Sequence, residues 1–360
     1  SLSISSLSKS RVFEDTFGKK NNGKMDHIAL SRWADAILVL PSTANFMSKL
    51  SRGSADDLAT TVILASDKET FLVPAMNVRM WEHKATQKNL NTLFNYGYKF
   101  IGPQDGEMAC GEYGKGKMSS PRQIISYLEN FFKQKDYFKK KNIRATVTTG
   151  PTREYIDPVR YISNESSGKQ GYEIALELSR LGVKTTLISG PTNINYSNEI
   201  KVKKIISGKQ MFNEIKKTLP TDIAVCTAAV SDFKPVLKNK QKLKKKINLD
   251  KIQLEQNPDI LEFLGKNNRH KPKLLVGFSA ETENIIKNSI EKMHEKHCDI
   301  IVANDVSSKE TGFNVDFNEV TIIENNGEIQ KIKKSPKKFI ASIIAKKIIN
   351  SFLDIKKRLN

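Results

Sequence analysis

The sequence is poor in the residues that build disulfide scaffolds, zinc sites or membrane spans. Three cysteines in 360 residues, Cys110, Cys226 and Cys298, are odd in number and far apart, which argues for reduced thiols and against a disulfide framework. None has C-x-x-C spacing and the five histidines form no HExxH-type pair, so no structural zinc site is expected. No apolar run approaches the roughly 18 to 20 residues of a spanning helix. "AILVLP" and "TTVILAS" have the length of core elements. The opening "SLSISSLSKSRVFEDTF" has neither the basic nor the long apolar stretch of a signal peptide, and a cytoplasmic chain without a membrane partner is expected.

Acidic residues are also scarce, 39 Asp+Glu against 59 Lys+Arg, leaving a net charge of +20. Such a balance admits a nucleic-acid-binding protein, held by salt-dependent phosphate contacts. The lysines, however, interleave with Ile and Asn almost everywhere, and no RNP-like motif, zinc finger or basic heptad repeat occurs, so they read as solvated surface and no nucleic-acid partner is expected. What remains is an enzyme-sized globular chain. Its length exceeds what one core usually organises, and two domains are expected.

Both halves alternate strand and helix. In the first, "ADAILVLPS" (34 to 42), "TFLVPAMN" and "YKFIGP" read as strands, "SADDLATTVILAS" as a capped helix, and "SSPRQIISYLENFFKQK" as a closing helix with Pro in its first turn. The polar, basic "KDYFKKKN" marks a boundary: a domain over 1–135, a linker over 136–143 and a second domain over 144–360. There "IRATVTTGP", "VKTTLISGP", "IKVKKIIS", "DIAVCTAAV", "KLLVGFSAE" and "CDIIVAND" are short apolar strands, and "QGYEIALELSRLG" is an amphipathic helix ending on Gly. The pattern is α/β, a doubly wound sheet whose ligands sit beyond the carboxyl ends of its strands. The lysine-rich 234 to 250 has too few apolar residues to pack and reads as a mobile loop. "NEVTIIENNGEIQKI" reads as a hairpin with an Asn-Asn-Gly turn.

Polar residues gather at the strand ends of the second half. Gly150-Pro151 closes a strand, and Arg160, Asn164 and Ser166-Ser167-Gly168-Lys169 lead into a helix whose free N–H groups suit phosphate or carboxylate oxygens. By itself such a loop is as often a cap as a cradle, and it matches neither GxGxxG nor GxxxxGK[ST]. "CTAAVSDFKP" places Asp232 just past a buried strand, where a carboxylate can hold Mg²⁺ on a nucleoside triphosphate.

Taken in order, "TTGPTREYIDPVRYISNESSGKQG", "AAVSDFKP", "KLKK", "NPDIL", "GFSAET" and "ANDV" resemble phosphopantothenate-cysteine ligase, the second domain of the bifunctional coenzyme A biosynthesis family, over most of residues 143 to 354. The resemblance implies that a 4'-phosphopantothenate carboxylate attacks the α-phosphate of CTP, and that cysteine then displaces CMP from the acyl-cytidylate. It assigns Asn164 to the acyl-cytidylate carbonyl and makes Arg160 the support of that loop. Lys242 is to reach the phosphates, and Asp232 belongs to the Mg²⁺ and nucleotide site. Cys226, Thr227, Ala228, Pro258, Asp259, Ile260, Leu261, Phe278, Lys292 and Lys296 match positions that surround CTP. From the residues alone, Lys244 competes with Lys242 for the same role, Phe278 serves equally as core, and Lys292 and Lys296 stand four apart as solvated lysines also do. Cys226 and Cys298, flanked by apolar residues, read as inert core thiols.

In the first half, "MDHIALSRWAD", "LPSTANFMSKLSRGSADDL", "PAMNVRMW" and "ACGEYGKGKM" resemble the flavin-dependent phosphopantothenoylcysteine decarboxylase family, which implies a flavodoxin-like, Rossmann-like domain and an FMN cofactor. The family opens with a strand, a phosphate-binding turn and a helix. This sequence opens after them, so the resemblance implies a sheet without its first βα unit. It makes His27 the active-site base, Asn77 the binder of the substrate carboxylate, Cys110 the thiol that helps reduce and protonate the enethiol, and Thr43 and Asn45 flavin contacts. Away from these motifs His27 and Cys110 would read as ordinary surface or core residues. The Lys of "GKGKM", where the family usually has Arg, keeps charge without the planar fork. Homo-oligomers are implied, decarboxylase trimers and ligase dimers. Two alternatives stand beside the bifunctional reading: a ligase whose first domain only assembles the oligomer, and a basic nucleic-acid-binding protein.

Overall fold

Apolar runs bounded by capping residues, Gly and Pro become the strands and helices of two α/β units, Ser1–Asn130 and Phe131–Asn360. The computed structural model describes residues 2–13, 26–108, 111–243, 251–306 and 316–359. Among them no helix is long and apolar enough to cross a membrane.

The first unit runs α1 (Leu2–Ser8), α2 (Asp26–Trp33), β1 (Ala36–Ser42), α3 (Ala44–Ser51), α4 (Leu58–Leu64), β2 (Glu69–Pro74), α5 (Val78–Glu82), α6 (Lys84–Tyr96), β3 (Lys99–Phe100), β4 (Gln104–Glu107), β5 (Tyr113–Lys117) and the start of α7 (Pro121–Lys140). Its three main strands pair in parallel in the order β1-β2-β3. Local chemistry sets the helix starts. Asp57 and Thr60 form a reciprocal capping box on α4, and Gly97 takes the left-handed conformation, φ 100°, that ends α6. Met47, Leu50, Ile63, Leu72, Trp81 and Leu93 fill the core. The basic stretch expected as a linker is helical as far as Lys140, because Phe138 inside it is fully buried against Phe352, ring centroids 6.1 Å apart. One buried aromatic outweighs the surrounding lysines.

The second unit continues β6 (Arg144–Thr149), β7 (Arg153–Tyr155), β8 (Tyr161–Ser163), α8 (Lys169–Arg180), β9 (Lys184–Ser189), β10 (Lys201–Lys204), α9 (Gly208–Thr218), β11 (Ile223–Cys226), β12 (Phe233–Pro235), β13 (Leu254–Gln256), α10 (Ile260–Gly265), β14 (Leu274–Glu281), α11 (Ile285–Glu295), β15 (Ile300–Asp305), β16 (Phe317–Glu324), β17 (Ile329–Pro336) and α12 (Lys337–Leu359). Eight strands form one sheet, β10-β9-β6-β11-β14-β15-β16-β17, parallel as far as β15 and antiparallel at the β16–β17 hairpin, whose turn carries Gly327 at φ 89°. Chain order reverses between β6 and β11, the switch point at which a doubly wound sheet opens a crevice. The central strands are buried on both faces, while β10, at the edge, carries the exposed Lys201, Lys203 and Lys204, charges of the kind that guard an edge strand.

Three short ribbons escape a reading by periodicity: β4–β5, β7–β8 and β12–β13. The segment expected to be a mobile loop begins as β12. Its next residues are tied down, Asn239 N–H to the Ile156 carbonyl at 2.9 Å and Leu243 N–H to Asp157 Oδ2 at 3.2 Å. Residues 244–250, Lys244 among them, lie outside the described residues.

Candidate functional site

At the switch point β6 ends in Gly150, φ 76°, and Pro151, which bridges to Ala229 beyond β11. Helix α8 starts at Gly168, φ 73°, with no side chain capping its first N–H groups. Gly171, one turn in, leaves no room for a Cβ between the Thr149 and Thr227 hydroxyls, so α8 presses onto the ends of β6 and β11. Thr149 Oγ1 donates to the Gly168 carbonyl at 2.7 Å and Thr227 Oγ1 to the Thr148 carbonyl at 2.6 Å.

Beyond these ends lies a cleft of ≈ 990 Å³. It is lined by Asn164, Cys226, Thr227, Ala228, Asp232, Pro258, Asp259, Ile260, Leu261, Phe278, Lys292 and Lys296, which the fold gathers from five separate stretches of sequence. Thr148, Glu165, Asn257, Ser279, Ala280 and Asn304, to which no role of their own was assigned, line it too. All six fall inside the motifs that carry the resemblance, which were the signal for them. A second cleft of ≈ 700 Å³, lined by Arg153, Tyr161, Ser166, Ser167, Lys169 and Thr192, shares Ser163, Asn164 and Glu165 with the first. Asn164 therefore stands where the two meet, with Nδ2 donating to the Val230 carbonyl at 3.1 Å.

Arg160 and Lys242 line neither cleft. The Arg160 Nε donates to Asp157 Oδ2 at 2.9 Å, and Nη2 reaches both that oxygen and the Leu243 carbonyl, the latter at 3.1 Å. Arg160 thus joins the β7–β8 turn to the segment carrying Lys242. The guanidinium, with two N–H groups on Oδ2, holds the buried Asp157 carboxyl far below the usual carboxylate range, against the opposing pull of burial, and the Val159, Arg160 and Leu243 N–H groups add to it. A depressed carboxyl stabilises the fold fully above its ordinary value, near pH 4, and loses that contribution as pH falls through the depressed one. Asp157→Asn is expected to lower the thermal midpoint at pH 7 and to flatten the decline between pH 4 and pH 2. Parallel acid profiles for wild type and variant in thermal melts would remove Asp157 from this role.

Lys296 borders the cleft, but Asp259 at 3.2 Å, Glu262 at 3.1 Å and Glu295 at 3.3 Å engage its ammonium. Burial pulls its pKa down, yet the bonds to Glu262 and Asp259 hold it well above the usual lysine value. Its charge is spent locally, on the Asp259 that caps α10. Lys292 is half-buried on α11 and lines the same end. Burial pushes the Cys226 thiol far up and the Cys298 thiol up to about 12, the behaviour of inert thiols. Asp232 is exposed at the cleft, and among the described residues no group of three or more His, Cys, Asp or Glu is placed to hold a metal ion.

In the first unit the two diagnostic motifs meet. Met76 N–H donates to the Gly116 carbonyl at 3.1 Å, and a Cβ on Gly116 would overlap the Met76 carbonyl, so only glycine lets β5 lie against "PAMN". Asn77 caps α5, accepting from Met80 N–H at 3.0 Å, while its Nδ2 donates to Glu112 Oε2 at 2.7 Å. Glu112, which the sequence did not single out, thus occupies the amide through which Asn77 was expected to meet a carboxylate. Thr43 caps α3 through Phe46 N–H at 3.2 Å, and both Thr43 and Asn45 are exposed just past the end of β1. Beside them the fully buried Ser42 Oγ has no partner. An unpaired hydroxyl at a strand's carboxyl end, next to two exposed polar groups, fits a polar cofactor such as FMN. His27 is half-buried in the first turn of α2, and Cys110 lies outside the described residues.

Comparison with known proteins covers both units. The flavoprotein family profile matches residues 1–133, and that of the DNA/pantothenate metabolism flavoprotein C-terminal domain matches 140–352. The coenzyme A biosynthesis bifunctional protein CoaBC of Haemophilus influenzae is 38% identical over 352 residues, 98% of this chain and 87% of that protein. That of Bacillus subtilis is 38% identical over 333 residues, 92% and 82% of the two. A crystal structure of the C-terminal domain of a coenzyme A biosynthesis bifunctional protein CoaBC aligns with TM-score 0.50 and 35% identity, covering 59% of this chain and 96% of that one.

Proposed function

The chain belongs to the family of coenzyme A biosynthesis bifunctional proteins, and from that premise we propose that its second unit joins 4'-phosphopantothenate to cysteine at the expense of CTP while its first decarboxylates the product to 4'-phosphopantetheine. It is an enzyme of coenzyme A biosynthesis with a flavoprotein half. The nucleic-acid-binding alternative is not favoured beside these relatives.

The observation that carries the ligase reading is the convergence of the expected nucleotide residues on one cleft at the switch point, with Asn164 at the junction to a second cleft. A nucleotide in the larger cleft and an acyl chain in the smaller would bring the reacting carbonyl to Asn164, whose amide can donate to the oxygen on which charge develops. Asp232 supplies a single carboxylate. That suits Mg²⁺, which keeps several waters and takes the rest of its ligands from substrate phosphates. The Arg160–Asp157 pair holds the segment at Leu243, beside Lys242, so that Lys242 would reach the triphosphate from a fixed anchor.

In the first unit Thr43, Asn45 and the unpaired Ser42 hydroxyl would hold FMN. When bound, the flavin supplies reversible two-electron oxidation. His27 would serve as the base, and Asn77 would exchange Glu112 for the substrate carboxylate. Assembly into decarboxylase trimers and ligase dimers belongs to the same reading.

Purified chain incubated with phosphopantothenate, cysteine, CTP, Mg²⁺ and FMN should yield phosphopantetheine by mass. Phosphopantothenoylcysteine alone would leave the ligase reading standing and remove the decarboxylase one, and an absence of CTP turnover would overturn the ligase reading. Within the ligase, Lys242→Gln is expected to slow pyrophosphate release roughly 10²-fold, the scale of losing one charged donor to the reacting group. If Lys244→Gln does so and Lys242→Gln does not, the role moves two residues along.

A further inference from the structure

Three consecutive residues, Ser163, Asn164 and Glu165, line both clefts of the second unit, and all three are exposed. Two of them are engaged. Ser163 Oγ donates to the Thr152 carbonyl at 2.8 Å, and Asn164 Nδ2 donates to the Val230 carbonyl. Glu165 makes no hydrogen bond or ion pair among the described residues. The cations of the smaller cleft are turned elsewhere: Lys169 pairs with Asp316, and the Arg153 guanidinium lies over the Tyr161 ring, 4.7 Å from its centroid. Among the described residues Glu165 is the only acid that lines this cleft. In the larger cleft Asp259 and Glu262 are engaged by Lys296, and Asp232 is taken up by the cation role given above.

An unpaired carboxylate is out of place where the other reactants are anions. With a nucleotide in the larger cleft and an acyl chain in the smaller, phosphates and a carboxylate approach this junction, and Glu165 repels both. The third reactant differs in sign. An α-amino group is mostly protonated near neutral pH. It has to reach the carbonyl at the junction, where the exposure of Asn164 and Glu165 leaves a way in from solvent. The amine sheds one proton to solvent before it can attack, and its nitrogen turns positive again as the C–N bond forms. A second proton must then leave, so that the adduct collapses by breaking the C–O bond to the nucleotide phosphate, that electron pair departing with CMP. Neither a serine hydroxyl nor a carboxamide is a base able to take it. A carboxylate is, and a positioned general base contributes typically 10²–10⁴-fold.

Resting on the ligase reading above, we propose that Glu165 is a further catalytic residue, which draws the amino group of the incoming amino acid to the junction of the clefts and takes the proton that its nitrogen loses on attack. Neighbouring side chains then divide the charge of one adduct. Asn164 serves the oxygen, which turns negative, and Glu165 serves the nitrogen, which turns positive. From the exposed carboxylate the proton passes to solvent.

Kinetics of the full chain with either cysteine or hydroxylamine as the amine test this, hydroxylamine being kept below the level that traps acyl-cytidylate free in solution. Hydroxylamine is a weak base, uncharged near neutral pH, and its adduct gives up a proton to water unaided. Glu165→Gln, nearly isosteric and at an exposed position, is expected to lower kcat/KM for cysteine roughly 10²-fold. Its first-turnover burst of pyrophosphate should keep the wild-type size, and hydroxamate should form near the wild-type rate. Unchanged cysteine kinetics would overturn the assignment. Equal losses with both amines would do so too, by showing a distorted junction, as would a lost pyrophosphate burst, by placing Glu165 on the cation or the nucleotide. Wild type that releases no pyrophosphate from CTP fails the ligase reading itself, and this inference with it.

Discussion

Asn164→Ala is expected to lower amide formation roughly 10²–10³-fold while pyrophosphate release from CTP stays readily measurable, the loss found when one donor to a developing oxyanion is removed. The two readouts part because of where Asn164 stands. It belongs to both clefts, and its Nδ2 bond to the Val230 carbonyl at 3.1 Å fixes the amide at their junction. On the proposed mechanism the carboxylate would be activated on the Asp232 side, whereas attack by the amine would pass through a tetrahedral carbon at the junction itself. Asn164 is exposed and serves no helix cap, so its truncation should leave the fold intact. Mass-resolved product and a pyrophosphate assay on the same sample decide the matter. Unchanged amide formation, or both steps falling together with an unchanged melting profile, would take the carbonyl role from Asn164.

Gly190→Ala should destabilise the second unit by on the order of 3 kcal/mol, the upper end of what overpacking costs. A Cβ at this position would overlap the carbonyl oxygen of Pro151. The obstacle is backbone, so no side-chain rotation relieves it. Backbone contacts hold the turn on both sides: Gly190 N–H donates to the Thr149 carbonyl at 3.0 Å, and Ala229 N–H to the Gly150 carbonyl at 3.0 Å. Whatever yields must therefore shift the switch-point turn, and ligase turnover should fall along with the thermal midpoint. Gly327→Ala is the comparison: its φ of 89° also disfavours a side chain, but the space around it is open, and it lies on the β16–β17 turn. Its effect should be limited to the roughly 1 kcal/mol that a left-handed residue costs, with turnover retained. A Gly190→Ala protein as stable as Gly327→Ala would show that the turn adapts more easily than its contacts imply.

Much of the second unit is legible because short apolar runs ending in Gly-Pro or Asp leave few alternatives to a doubly wound sheet. The hairpin at Asn325-Asn326-Gly327 is equally local, since its turn chemistry lies within three residues. Ribbons of two or three residues are not legible, because no period can be read in so few positions. Thus the β7–β8 ribbon that carries Arg160 looks like plain loop in the sequence. Charge misleads in two places. The lysines of 136–140 hide a helix that Phe138 anchors, and those of 234–243 hide a segment that Asp157 ties down.

The amino-acid order by itself determined the alternation of strands and helices, the two α/β halves and the motifs that identify the family, because caps, turns and apolar periods act within a few residues of one another. Tertiary structure alone decided which polar groups are free. Lys296 carries charge that a phosphate would attract, yet Asp259 and Glu262 from another stretch of chain engage it. Asn304 Oδ1, within the "ANDV" motif, is buried without a partner. Whether a side chain has a partner depends on what packs against it from distant segments, and no local spacing encodes that.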